Sequence, residues 1–165
     1  MEDELLDLVD EQDNVIAKLP RSRVYAQGMS NYRCTCAFIK NSAGELWIPR
    51  RAAHKQLFPL CLDMSVAGHV KSGESYDEAL KHEVFEELRM DLTRFPPRLL
   101  GKLSPKDGTH EWQQVYEIHS DAEPDYNRND FMSAKWYTPQ ALLAAIEKGE
   151  PCVSDLPVIV KHFYA

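Results

Sequence analysis

The chain has 165 residues, 44% of them hydrophobic and 10% aromatic, which suffices for one domain with its own core, and no shift in composition marks a second. Nineteen Lys and Arg against 26 Asp and Glu leave a formal charge of −7, which excludes a binder of nucleic-acid polymers working through a general basic surface. An anionic ligand would need a cation or a few placed arginines beside it.

Residues 4–9 (ELLDLV) and 14–18 (NVIAK) flank the polar turn DEQD, so a hairpin is predicted over about 4–18, with a structural task. After a loop through Gly28, YRCTCAFIK (32–40) reads as a strand, NSAG turns the chain, and ELWIPRR (45–51) returns antiparallel, with Pro49 near its end where a missing donor matters least. The apolar run LCLDMSVAGHV (60–70) passes through Gly68 into the loop KSGES. A helix is predicted from Tyr76 to Leu88. Ser75 and Glu78 form a capping box at its start, and Leu80, Val84 and Leu88, with Ala79 beside them, define its buried stripe.

Beyond FPPR, LLGKLSP and EWQQVYEIH read as strands around KDGTH, and MSAKWYT as a short strand before Pro139, a favoured first-turn residue for a helix over 139–148. LPVIVKHFY reads as a last helix, although its apolar density also suits a strand. This mixture implies an α+β or α/β sandwich, with helices covering a mixed sheet. Cys34, Cys36, Cys61 and Cys152 form no CxxC pair, so buried free thiols are expected, with Cys34 and Cys36 on one face of their strand. There is no basic-then-apolar leader and no long uncharged apolar run, so a cytoplasmic protein without a membrane span is expected.

The predicted helix carries HEVFEELRM, in which Glu83 has Glu86 at i+3 and Glu87 at i+4. Three carboxylates on one patch repel by about 0.2–0.5 kcal/mol per pair, and two of them lie near the helix C-terminus, where the macrodipole disfavours anions. A solvated acidic face is the plain alternative. However, Glu83 and Glu87 border the Leu80–Val84–Leu88 stripe, and a hard divalent cation would turn their repulsion into shared coordination by oxygen.

Gly68, Glu74, Glu83, Val84, Glu86, Glu87 and Met90 fall at the spacing of G-x5-E-x7-R-E-U-x-E-E-x-G-U, where U is aliphatic. The stretch 68–90 thus resembles the Nudix box, with His82 at the arginine position and Arg89 at the second glycine. The resemblance implies the family's α/β/α sandwich and a pyrophosphohydrolase using Mg²⁺ or Mn²⁺ on a small-molecule diphosphate, with a nucleoside diphosphate or a compound linked to one as the expected substrate. It implies metal binding by Glu83, Glu86 and Glu87, with a backbone carbonyl near Ala67 or Gly68 as a further ligand. Glu74 would brace residue 82, which as histidine has a shorter reach than guanidinium. Arg89 replaces a residue that often ends the helix at positive φ, at a cost of about 1 kcal/mol for a side chain.

Outside the box, Glu111 is a candidate extra metal ligand or general base, so that Glu83, Glu87 and Glu111 form the candidate catalytic set. Arg50, Arg51 and Lys55 are candidates for gripping phosphate oxygens. Asp130 is a lesser candidate for the pocket mouth. Trp47, Trp112 and Trp136 are expected in the core more than on a ligand ring. PRRAAHKQLFP…DMSVAGHV also resembles the branch related to isopentenyl-diphosphate isomerase, but Ala67 stands where the isomerase has its cysteine, Gln113 replaces one glutamate of its ExE pair, and Tyr32 falls where it has a histidine. That makes isomerase chemistry improbable, though His69 could still face the site. A weakly active or non-catalytic diphosphate-binding module is the other class allowed, and a homodimer is admitted.

Overall fold

In the computed structural model, which describes residues 2–165, a six-stranded mixed sheet is covered by helices on both faces. A two-stranded hairpin, β1 (Leu5–Val9) and β2 (Val15–Pro20), leads into α1 (Arg21–Ala26). The sheet comprises β3 (Arg33–Lys40), β4 (Leu46–Arg51), β5 (Val66–His69), β6 (Arg98–Leu103), β7 (Trp112–His119) and β8 (Phe131–Tyr137). Its order is β6-β7-β3-β4-β8, with β5 also paired to β3. Helices α2 (Tyr76–Leu88), α3 (Pro139–Glu147) and α4 (Asp155–Tyr164) complete the fold.

β3 is the centre because both of its faces are apolar. Cys36 and Phe38 join Ile48, Val115 and the α4 residues Leu156, Ile159 and Val160 in one buried cluster. Ala37 and Ile39 point the other way and pack with Val66 and the α2 stripe Leu80, Val84 and Leu88 in a second. Period-two alternation thus feeds both halves of a sandwich from one strand. Helix α2 begins as expected: the Ser75 side chain accepts from the Glu78 amide, and Glu78 reaches back to the Ser75 amide. It ends on Arg89 in the left-handed conformation, φ 52°, so the arginine keeps the turn that a glycine would make more cheaply. Segment 155–164 is helical, as its spacing of buried residues requires.

β3 pairs parallel with β7 from Arg33↔Trp112 to Lys40↔His119. On its other side it pairs with β5 from Cys34↔His69 to Ala37↔Val66, and meets β4 only at Lys40↔Leu46. The sheet therefore forks. Ser65, fully buried, fills the crotch: its hydroxyl accepts from the Ile39 amide at 2.9 Å and donates to the Trp47 carbonyl at 2.5 Å. One side chain replaces the ladder bonds that the diverging strands have lost.

Two features were absent from the sequence reading. The segment expected to be loop before Gly28 contains α1, and the hairpin also packs on the sheet, with Leu6, Leu8 and Val24 buried against Tyr32 and Cys34. The DEQD turn is anchored by Asp13, whose carboxylate accepts from Arg33 Nε at 2.7 Å, Lys102 Nζ at 2.6 Å and the Tyr76 hydroxyl at 2.9 Å. Burial alone would raise the Asp13 pKa, but these donors together hold it below the ordinary carboxylate value. All four cysteines are free, Cys34 and Cys36 buried, Cys61 and Cys152 half-buried. Among the described residues no helix is long and apolar enough to cross a membrane.

Candidate active site

The fork between β4 and β5 opens into a cleft of about 800 Å³. Helix α2 crosses the β5 side of it so closely that a Cβ on Gly68 would stand 2.2 Å from Glu83 Cδ and 2.4 Å from Cγ. Only glycine permits that approach, which is the physical content of the first glycine in the motif.

Glu83, Glu86 and Glu87 all line the cleft. Glu86 is exposed, and the other two are half-buried. Burial, with the charge of Glu86 and Glu4 next, pushes Glu83 up to about 8. Burial and the neighbouring Glu83 and Asp130 push Glu87 well above the ordinary carboxylate value, and its Oε1 is buried without a hydrogen-bond partner. Such an orphaned oxygen costs about 1–3 kcal/mol. Among the described residues, no three His, Cys, Asp or Glu side chains converge on a point that would hold an ion. Closing the three glutamates on one therefore requires their side chains to rotate.

The remaining expected residues divide. Glu111 lines the far side, accepting from Gln113 Nε2 at 2.8 Å and from the Tyr32 hydroxyl at 3.4 Å. Burial and the adjacent Asp155 raise it to about 7. Arg51 and Lys55 line the cleft, already engaged by Asp63 at 2.9 Å and Asp130 at 2.7 Å. Arg50 is not brought to them: its guanidinium pairs with Glu150 and donates to the Leu60 carbonyl, outside the cleft lining. Glu74 meets His82 Nδ1 at 3.1 Å, the contact expected of a brace. Trp47 is fully buried and donates from its ring nitrogen to Glu123, Trp136 packs on the α2 cluster, and none of the three tryptophans lines the cleft.

Several cleft residues escaped the sequence reading. Asp63, 5% exposed, and Asp155, 5% exposed, are buried acids that carried no periodic or motif signal. Asp155 accepts from the His110 amide at 2.8 Å and from Gln113 Nε2 at 3.1 Å, which ties the start of α4 to β7 and to the loop before it that bears Glu111. Glu4 and Tyr25 come from the hairpin and α1. In all, eight carboxylates (Glu4, Asp63, Glu83, Glu86, Glu87, Glu111, Asp130 and Asp155) face three cations, Arg21, Arg51 and Lys55. Even with Glu83, at about 8, holding its proton near neutrality, carboxylates outnumber cations and the cleft as it stands disfavours anions.

Residues 31–155 match the model of the NUDIX domain. An uncharacterized Nudix hydrolase of Nostoc sp. is 51% identical over 163 residues, 98% of this chain and 96% of the relative. The crystal structure of DR0079 from Deinococcus radiodurans superposes with a TM-score of 0.92 at 41% identity, covering 98% of this chain and all of that one. A weaker likeness, 28% identity over 87% of this chain and 82% of the relative, reaches an isopentenyl-diphosphate Delta-isomerase of Photorhabdus laumondii and gives the isomerase-like branch only slight support. With the box spacing, the forked sheet and these likenesses in agreement, the chain belongs to the Nudix family.

Proposed function

We propose that the protein is a divalent-metal-dependent pyrophosphohydrolase acting on a nucleoside diphosphate, or on a small molecule linked to one, in the cytoplasm. The observation that carries this reading is the excess of carboxylates over cations in the cleft, which leaves no place for a diphosphate unless hard cations enter between them. The residues fit such ions. The donors are all oxygens, as Mg²⁺ or Mn²⁺ prefer, Glu87 Oε1 lacks any other partner, and the bare Gly68 backbone lies against Glu83. Glu83, Glu86, Glu87 and the Gly68 carbonyl would hold them. Ions so placed offset phosphate charge and make an attacking water more acidic.

The chain's own groups supply the rest. Lys55 and Arg51 reach phosphate oxygens by charge-assisted hydrogen bonds, exchanging Asp130 and Asp63 for substrate. Glu111, at about 7, is ionised often enough near neutrality to accept a proton from the attacking water while remaining basic enough to keep it. Gln113 fixes one of its oxygens, leaving the other towards the Tyr32 hydroxyl. With Glu83 and Glu87 it makes the proposed catalytic set. A bond forms from water oxygen to phosphorus, the bridging P–O bond breaks, and the departing phosphate takes up the negative charge.

Release of phosphate or nucleotide with Mg²⁺ or Mn²⁺, measured over nucleoside, sugar-linked and prenyl diphosphates, tests this. Glu86→Gln and Glu87→Gln are each expected to lower the parent's rate by about 100-fold. A parent as inert as both variants over the whole panel would make the chain a diphosphate-binding module instead. Isomerisation finds no support at Ala67, whose methyl cannot carry a proton to carbon.

A further inference from the structure

Residues before 31 lie outside the matched domain, yet Glu4, Arg21, Tyr25 and Met29 wall one side of the cleft. The wall is firmly attached. Val9 donates to the Asn31 carbonyl at 2.9 Å and Ser72 to the Leu5 carbonyl at 2.8 Å, and Ser72 Oγ donates to the buried Asp7 at 2.6 Å. Gly28, at φ 62°, then turns the chain from α1 back into the sheet. The result holds Tyr25 against β5. Its hydroxyl lies 2.7 Å from His69 Nε2, while His69 Nδ1 lies 3.3 Å from Glu4. Tyr25, Tyr32 and His69 form a tilted ring cluster with centroids 5.8–6.2 Å apart. Tyr32 is 3% exposed and Tyr25 38%, so Tyr25 is the tyrosine of the cluster that keeps a face for a ligand. Opposed chemistries meet there: an aromatic face for stacking, and a hydroxyl, an imidazole, Arg21 and Glu4 at its edge.

An apolar chain filling this corner would strip water from those polar groups and offer nothing in return. A flat ring with donors and acceptors on its rim satisfies both parts at once. We propose that the N-terminal wall, which lies outside the matched domain, ranks the bases of the nucleoside proposed above, and that Tyr25 is the residue that does so. This rests on the diphosphate reading for the carboxylate end of the same cleft. Tyr25 is a specificity-determining residue, and Glu4 and His69 position it.

The test is a calorimetric titration in EDTA with uncharged probes, which a carboxylate-rich cleft does not repel: nucleosides carrying each of four bases, ribose and geraniol. At least one nucleoside is expected to bind the parent about tenfold tighter than ribose, the scale of a base–aromatic stack. Tyr25→Leu should abolish that preference. Tyr25→Phe, which keeps the ring, should retain the preference over ribose but lose the parent's ranking among bases, so it reports even where Tyr25→Leu does not fold. The proposal is overturned by parent binding in which ribose or the prenyl alcohol equals every nucleoside, by no nucleoside binding, by a folded Tyr25→Leu protein with its preference intact, or by an unchanged base ranking in Tyr25→Phe. Neither metal nor hydrolysis enters this assay. A failure here leaves the hydrolase reading standing, and a base-selective protein that cleaves no diphosphate loses that reading alone.

Discussion

Replacing Gly68 with alanine separates the backbone from the carboxylate it shelters. The new Cβ would fall 2.2, 2.4 and 2.5 Å from Cδ, Cγ and Oε1 of Glu83, far inside contact distance, so the Glu83 side chain must move out of its place on α2. Forced rearrangement of this kind costs about 1–3 kcal/mol in packed surroundings, and a value near 1 is expected because the colliding atoms are the mobile end of a side chain. The backbone itself makes no objection, since Gly68 is not among the positive-φ glycines. In a Glu83→Ala background the collision is gone, and Gly68→Ala should then stabilise by about 0.4–1 kcal/mol through the lowered entropy of the unfolded chain. The sign therefore reverses between backgrounds, with a coupling of about 1.5–2 kcal/mol. Urea denaturation of the four proteins without metal measures it, and Mn²⁺ calorimetry should show Gly68→Ala losing affinity as Glu83→Ala does. The same stability change in both backgrounds would refute the account of why glycine stands there.

Two further outcomes follow from side chains that hold backbone together. Ser65→Ala removes the shared partner of the Ile39 amide and the Trp47 carbonyl and is expected to cost about 2–3 kcal/mol, or some 4–12 °C in melting temperature; a loss under about 0.5 kcal/mol would mean the fork closes without it. Asp13→Asn should cost about 2 kcal/mol at pH 7, because Arg33 and Lys102 lose a largely buried partner. The Asp13 pKa is held down in the fold, so its stabilisation is complete above the ordinary value near 3.8 and is lost as pH falls through the folded value. Parent and variant melting curves should accordingly draw together as pH falls below about 3.8, and a gap that does not narrow in acid would count against the ion pairs.

How much of this could be read from sequence depends on the range of the interaction concerned. Helix α2 was legible because its signals are local: a cap, a box partner three residues on, and a four-residue stripe. The hairpin was legible for the same reason, though its packing was not. Six residues of α1 offer no periodicity, and a proline stands at their cap. The parallel joining of β3 to β7 links segments more than seventy residues apart, and nothing local announces it. Asp63 and Asp155 became cleft acids only when the fork and α4 were assembled around them. Arg50 is different, since strand alternation alone separates it from Arg51; the rule that put Cys34 and Cys36 on one face also puts these neighbours on opposite faces.

The fork and the acids explain each other. A fully paired β3–β4–β5 sheet would present a closed surface, with every amide engaged in a ladder and no edge for a ligand to approach. Diverging strands open about 800 Å³ at the expense of ladder bonds, which Ser65 partly restores. The space so gained is lined by carboxylates raised by burial and by one another, an arrangement that weakens the metal-free fold as pH rises towards neutrality, because the folded chain holds protons there that the unfolded chain gives up. The electrostatic cost falls on Glu83 and Glu87, and it is offset if a cation occupies the cleft. Stability and function then share one term: removing the glutamates' negative charge should make the empty protein sturdier and the loaded one weaker, which a merely acidic surface would not do.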